Sequence, residues 1–151
     1  MRWSRDDLVQ YLKTGTNKWT LASGPMAEAV SHSTSRMKDE DIIAIATYLK
    51  DSGKGVASTR PEPVAASTNA MRAGGAIYKD SCAACHKDSG EGEVNLFPRL
   101  AGSALVQSDD PTTLSHVVLR GTRAVSTAGA PTAPPCPLSI GGLATHRWRL
   151  F

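Results

Sequence analysis

Cys82-Ala83-Ala84-Cys85-His86 constrains this chain more than any other stretch. Cys-x-x-Cys-His is the attachment signal for a c-type haem. On a helix, residues i, i+3 and i+4 share one face. Cys82 and Cys85 can therefore reach the two vinyl groups of a porphyrin while the imidazole of His86 swings beneath the iron. Thioethers then hold the ring, and His86 supplies the proximal ligand. Other chemistries fit these residues less well. A structural zinc site needs four ligands, commonly including a second Cys or His pair. Only Cys136 and His146 remain for it, widely spaced in the tail. A thioredoxin-like Cys-x-x-Cys pair expects a βαβ context, and no strand pattern flanks this one. Chance is a weak explanation in a chain with 3 Cys, two of them in the motif.

At 151 residues the chain suits one ordinary domain or two very small ones. A hydrophobic content of 40% is compatible with a core, whereas aromatic residues, at 5%, are scarce. A covalent haem would supply much of the missing apolar bulk. The net charge of +3 is small, and no Lys/Arg run or aromatic–basic interleaving suggests a nucleic-acid partner. Thioether attachment implies export to an oxidising compartment, hence a periplasmic location. Yet Met1 to Asp7 contains no apolar h-region and is no secretory signal, and no apolar run has transmembrane length. An exported chemistry without an export signal suggests a chain whose true beginning is missing.

Where the chain is periodic, the period is helical. Ser4 and Asp7 resemble a capping box ahead of a Leu8, Tyr11, Leu12 stripe, with Gly15 placed to end that helix. A loop leads through Trp19 and Leu21 to Gly24-Pro25-Met26, and a short helix is expected from Met26 to His32. Asp39 to Lys50 is the clearest helix, with Ile42, Ile45, Ala46 and Leu49 on one face and Gly53 after it. Residues 54–68 lack an apolar period and read as a semi-stiff linker. Asn69 is the expected N-cap of a helix running into the Cys-x-x-Cys-His motif, and Lys87 to Asn95 reads as a surface loop. Asp110-Pro111 then starts a helix whose stripe is Leu114, Val117, Val118, closed by Gly121. Leu8, Tyr11, Leu12 and Gly15 have the spacing of Leu114, Val117, Val118 and Gly121, which points to an internal repeat; two unrelated amphipathic helices would show the same spacing.

These segments resemble the multi-haem cytochrome c subunits of bacterial membrane-bound alcohol, gluconate or sorbitol dehydrogenases. The likeness lies in Gly24-Pro25-Met26-Ala27-Glu28, in Asp39 to Lys50, and in Gly75-Ala76-Ile77-Tyr78 leading to the motif. It continues through Phe97-Pro98-Arg99-Leu100-Ala101-Gly102 and Asp110 to Leu114. The resemblance implies an all-α fold, small helices around a covalent haem, in two incomplete cytochrome c units. Residues 1–53 would be the C-terminal part of one unit, 54–68 the linker, and 69–134 the N-terminal part of a second unit. By the same resemblance Met26 is a distal iron ligand, and Pro98 orients His86. Met37 reads as a packing residue.

The resemblance also has gaps. Residues 1–53 contain no Cys-x-x-Cys-His of their own, and the family's Ala-Met-Pro is replaced by Ala133-Pro134-Pro135-Cys136. From 135 to 151 the likeness vanishes, so an aberrant, unstructured tail is expected, with a reading-frame slip near Pro134 as its expected origin. The sixth ligand at the His86 haem is left open among Met26, Cys136, water and a His such as His116 or His146. The implied function is outer-sphere electron transfer from a dehydrogenase catalytic subunit towards quinone, at the membrane through the complex. No bond chemistry is expected of the chain itself. The alternatives are an open-coordination haem that binds small ligands or peroxide, and a non-functional fragment.

Overall fold

The structure, a computed structural model, describes residues 3–52, 62 and 65–128. Gly53, most of the expected linker, Cys136, His146 and the 135–151 tail lie outside the described residues. Within them the fold is all-α, with isolated β-bridges and no strand.

Helix α1 spans Arg5–Thr14. Its start is the capping box read from the sequence: Asp7 N–H donates to Ser4 Oγ at 3.0 Å, and Ser4 N–H donates to Asp7 Oδ2 at 2.8 Å. Its end is Gly15, at φ 78, whose N–H bonds the Tyr11 carbonyl. Helix α2 spans Pro25–His32, with Pro25 in its first turn. A 3₁₀ turn follows at Thr34–Arg36, and α3 spans Asp39–Ser52. Helices α2 and α3 and the 3₁₀ turn all pack on α1. Lys13 ties the start of α3 to α1 through a 2.8 Å ion pair with Asp39. The expected stripe of α3 is only half inward. Ile42 and Ala46 are buried, whereas Leu49 is exposed.

In the second region, α4 spans Asn69–Ser81 and α5 spans Ala83–His86. The N-cap of α4 is Thr68, not Asn69: its hydroxyl accepts from Met71 N–H at 3.2 Å. Either residue can cap, and the turn closed by Thr68 N–H on the Ala65 carbonyl selects the first. Helix α6 spans Thr112–Arg120. The N-cap position of α6 is Pro111, one residue later than the expected Asp110, and it makes no side-chain cap; the Asp110 carboxylate accepts from Thr112 N–H at 2.9 Å just ahead of the helix. Gly121 ends α6 at φ 72 and bonds the Val117 carbonyl, as Gly15 does at the matching place on α1.

After α6 the chain crosses back to the first region. Ser23 and Ala124 form an antiparallel bridge, and Val125 N–H donates to the Ala22 carbonyl at 2.9 Å. Val125 thereby joins Ala22 and Val30 in a buried cluster flanked by Tyr11 and Ala27. A side chain at Gly15 would meet Val125 Cγ1 at 2.1 Å. This glycine is required both by its backbone angle and by the close approach.

Candidate functional site

The motif does not lie on one unbroken helix. Tyr78 O accepts the Cys82 N–H at 2.8 Å as the last bond of α4, and Cys82 then leaves helical geometry at φ −121. Its carbonyl accepts from both Cys85 N–H (3.2 Å) and His86 N–H (2.9 Å), winding the single turn of α5. Cys82 and Cys85 are free thiols, and both are half-buried, as is His86.

His86 is oriented from its far side. Its Nδ1 lies 2.9 Å from the Pro98 carbonyl oxygen. A carbonyl can only accept, so Nδ1 carries a proton, and in the neutral ring the lone pair is then on Nε2. The Phe97 ring meets the imidazole edge-on at 6.3 Å. Sequence reading names Pro98 only through the resemblance; the structure sets its carbonyl oxygen against the His86 ring.

A glycine within the expected surface loop proves to be part of the site. Gly92, at φ 67, donates its N–H to the His86 carbonyl at 3.0 Å. A Cβ there would stand 2.4 Å from the Phe97 oxygen and 2.8 Å from the Pro98 oxygen. Only glycine lets the backbone pass the carbonyl that faces His86. Gly90 holds the same turn, its carbonyl accepting from Leu100 N–H (2.8 Å) and Ala101 N–H (2.9 Å). Lys87 takes a positive φ of 61 immediately after the motif, and Tyr78 Oη donates to its carbonyl at 2.6 Å. The sequence signal was the glycine content of 87–95, without the register that shows what each glycine faces.

Met26 sits exposed in the first turn of α2, which packs on α1 and the 3₁₀ turn, whereas α5 packs on α4. His116 is exposed on α6. Met37 is half-buried between the 3₁₀ turn and α3, in keeping with a packing role.

Residues 69–135 match the family model described as cytochrome c oxidase, cbb3-type, subunit III. The chain is 42% identical over 146 residues to the gluconate 2-dehydrogenase cytochrome c subunit of Pantoea cypripedii, covering 90% of this chain and 33% of that protein. It belongs to the c-type cytochromes. The alcohol dehydrogenase (quinone) cytochrome c subunit of Gluconobacter oxydans (strain 621H) is 37% identical over 143 residues, covering 90% of this chain and 30% of that one. The fructose dehydrogenase cytochrome subunit of Gluconobacter japonicus is 37% identical over 140 residues, covering 79% and 29%. The chain spans about a third of the length of these curated relatives.

The cofactor of a c-type cytochrome is haem c, and the residues present fit it. The two thiols and the imidazole stand at the required spacing, and the free lone pair is on the nitrogen opposite the anchored one. Apolar surface is also available. No residue of α4, α5 or α6 is buried, and Met71, Ile77, Val118 and Leu119 are exposed. Apolar side chains left facing water in this way are what a large apolar ring would cover.

Proposed function

We propose that Cys82 and Cys85 form the haem thioethers, that His86 Nε2 is the proximal ligand, and that Pro98 orients it. The chain then serves as an electron relay from a dehydrogenase catalytic subunit towards quinone, on the periplasmic side and at the membrane through its complex. Bound haem supplies a one-electron iron couple. The protein's part is geometric and electrostatic. Cys82 and Cys85 fix the ring in place, and the Pro98 carbonyl sets the tautomer of His86 and raises its basicity, which favours the oxidised metal. Transfer of this kind needs no proton donor or base. The observation that carries the reading is the 2.9 Å contact from His86 Nδ1 to the Pro98 oxygen, which leaves Nε2 aimed away and free.

Met26 is assigned, through the Gly24-Pro25-Met26 loop, to the iron of the first unit. Residues 1–53, 54–68 and 69–134 are read as first unit, linker and second unit, with 135–151 as an aberrant tail. No helix among the described residues is long and apolar enough to cross a membrane. Membrane association through the complex is carried by the resemblance alone.

The test is maturation of the full chain in a periplasmic host with c-type assembly machinery. The expected product is coloured, carries the mass of one covalent haem, and loses both in the Cys82→Ser/Cys85→Ser variant. A colourless product of bare polypeptide mass overturns the assignment. A carbon monoxide difference spectrum reads the distal side: insensitivity supports the relay, and a bound-CO spectrum points instead to an open ligand-binding haem.

A further inference from the structure

The peptide group that faces His86 is held from its other end by the first region. Pro98 C=O and Arg99 N–H belong to one planar unit. The oxygen accepts from His86 Nδ1 at 2.9 Å, and the N–H donates to the Trp19 carbonyl at 3.3 Å. Trp19 O, the 98–99 peptide and the imidazole thus form one continuous line of hydrogen bonds across the seam between the two regions.

The Trp19 end of this line is firmly built. Asn17, 1% exposed, accepts from Trp19 N–H (2.9 Å) and Thr20 N–H (3.1 Å) through Oδ1, and its Nδ2 donates to the Asp7 carbonyl at 3.0 Å. Trp19 Nε1 donates to Asp7 Oδ2 at 3.3 Å. The guanidinium of Arg99 stands 5.8 Å from the centre of the Trp19 ring. One seam away, Thr16 Oγ1 donates to Asn95 Oδ1 at 3.3 Å. A buried asparagine and a buried carboxylate therefore fix the direction of the Trp19 carbonyl.

From this geometry we infer that Trp19 is a positioning residue for the iron ligand. Its carbonyl, acting through the Arg99 N–H, strengthens the Pro98 carbonyl as an acceptor and lowers the potential of the haem on His86. An amide whose N–H is engaged carries more negative charge on its oxygen, because successive hydrogen bonds polarise one another. A stronger acceptor at Nδ1 makes the imidazole a more basic ligand. The inference rests on His86 being the proximal ligand.

Arg99→Pro removes the N–H and keeps the Pro98 carbonyl, whereas Arg99→Ala keeps the N–H and removes only the guanidinium. In the haem-loaded full chain, Arg99→Pro is expected to raise the midpoint potential, by the equivalent of about a three- to tenfold change in the reduced-to-oxidised ratio. It should also move the His86 Nδ1–H resonance upfield in NMR spectra of the ferrous protein. Arg99→Ala should leave that resonance in place. A loaded Arg99→Pro protein with unchanged potential and resonance overturns the inference. If that variant yields no loaded protein, the decision passes to the unmodified chain. There the Arg99 amide must exchange with deuterium more slowly than the exposed amides of the same turn, with and without haem, and exchange at the exposed rate overturns the inference. Failure of haem attachment to the unmodified chain is read separately, by colour and mass, and removes the assignment of His86 itself.

Discussion

Helices α1 and α6 share one spacing of apolar residues and one kind of glycine ending, yet they live in different surroundings. Leu12 of α1 is 8% exposed, and its counterpart Val118 of α6 is 40% exposed. The contrast extends to the regions that hold them. Helices α1 to α3 bury Leu12, Val30, Ile42 and Ala46, while α4 to α6 bury nothing. An amphipathic stripe therefore records that a face must be covered, not what covers it. The first region covers its stripes with its own helices and with Val125. The second carries the haem motif and leaves its stripes uncovered.

The sharpest way to break this contrast is to add haem. Attachment should slow amide exchange in α4 and α6 by about a hundredfold or more and change α1 to α3 by less than about threefold, since local stability follows local burial. Equal protection of both regions would end the distinction. Core substitutions come next. Gly15→Ala should cost about 2–5 kcal/mol in urea unfolding, from positive φ and the collision with Val125 together. Ile42→Ala should cost about 2–4 kcal/mol, while Ile77→Ala, on α4, should stay within about 0.5 kcal/mol in the haem-free chain.

A smaller effect comes from Asp7. Hydrogen bonding from the Ser4 backbone, helped by the Ser4 hydroxyl, Trp19 and Lys18, outweighs burial and holds its carboxyl at about 2 instead of 3.8. A depressed folded-state value gives stability that is complete above the unfolded value and is lost as pH falls from about 4 towards 2. Asp7→Asn should flatten that part of the acid-unfolding curve and cost about 1 kcal/mol at neutral pH. The smallest change is Gly74→Ala. Nothing lies within 4 Å of a Cβ there, so the haem-free chain should gain up to about 1 kcal/mol from the stiffer helix. A loss instead would mean that α4 is already closely packed on that side.

The local chemistry was legible from the residues. Ser4 with Asp7, and Gly15, announce the two ends of α1 through bonds within a few positions of themselves, and the structure places those ends there. The Cys82–His86 spacing likewise carries its own meaning. What could not be read depends on partners distant in the chain. Gly92 looks like any loop glycine until the Pro98 oxygen is found against it, and Val125 looks like a loop residue until Ala22 pairs with it. Trp19 reads as an ordinary loop aromatic because its partner Arg99 lies far along the sequence. The split between α4 and α5 is hidden for a different reason. Cys82 serves as the last hydrogen-bond donor of one helix and the first acceptor of the next, and a pattern of side chains does not record that change.

The return of the chain at Ser23 and Ala124 has a consequence for how the molecule is assembled. The contact from Thr127 Oγ1 to the Thr14 carbonyl joins residues 113 positions apart. Contacts of such long range are entropically slow to form. Helices α1 and α2 must therefore wait, with one side of their interior open, until the polypeptide that follows α6 has emerged. A ribosome-bound chain halted just after Gly121 should be far more sensitive to protease around Ala22 and Val30 than one that has released Val125.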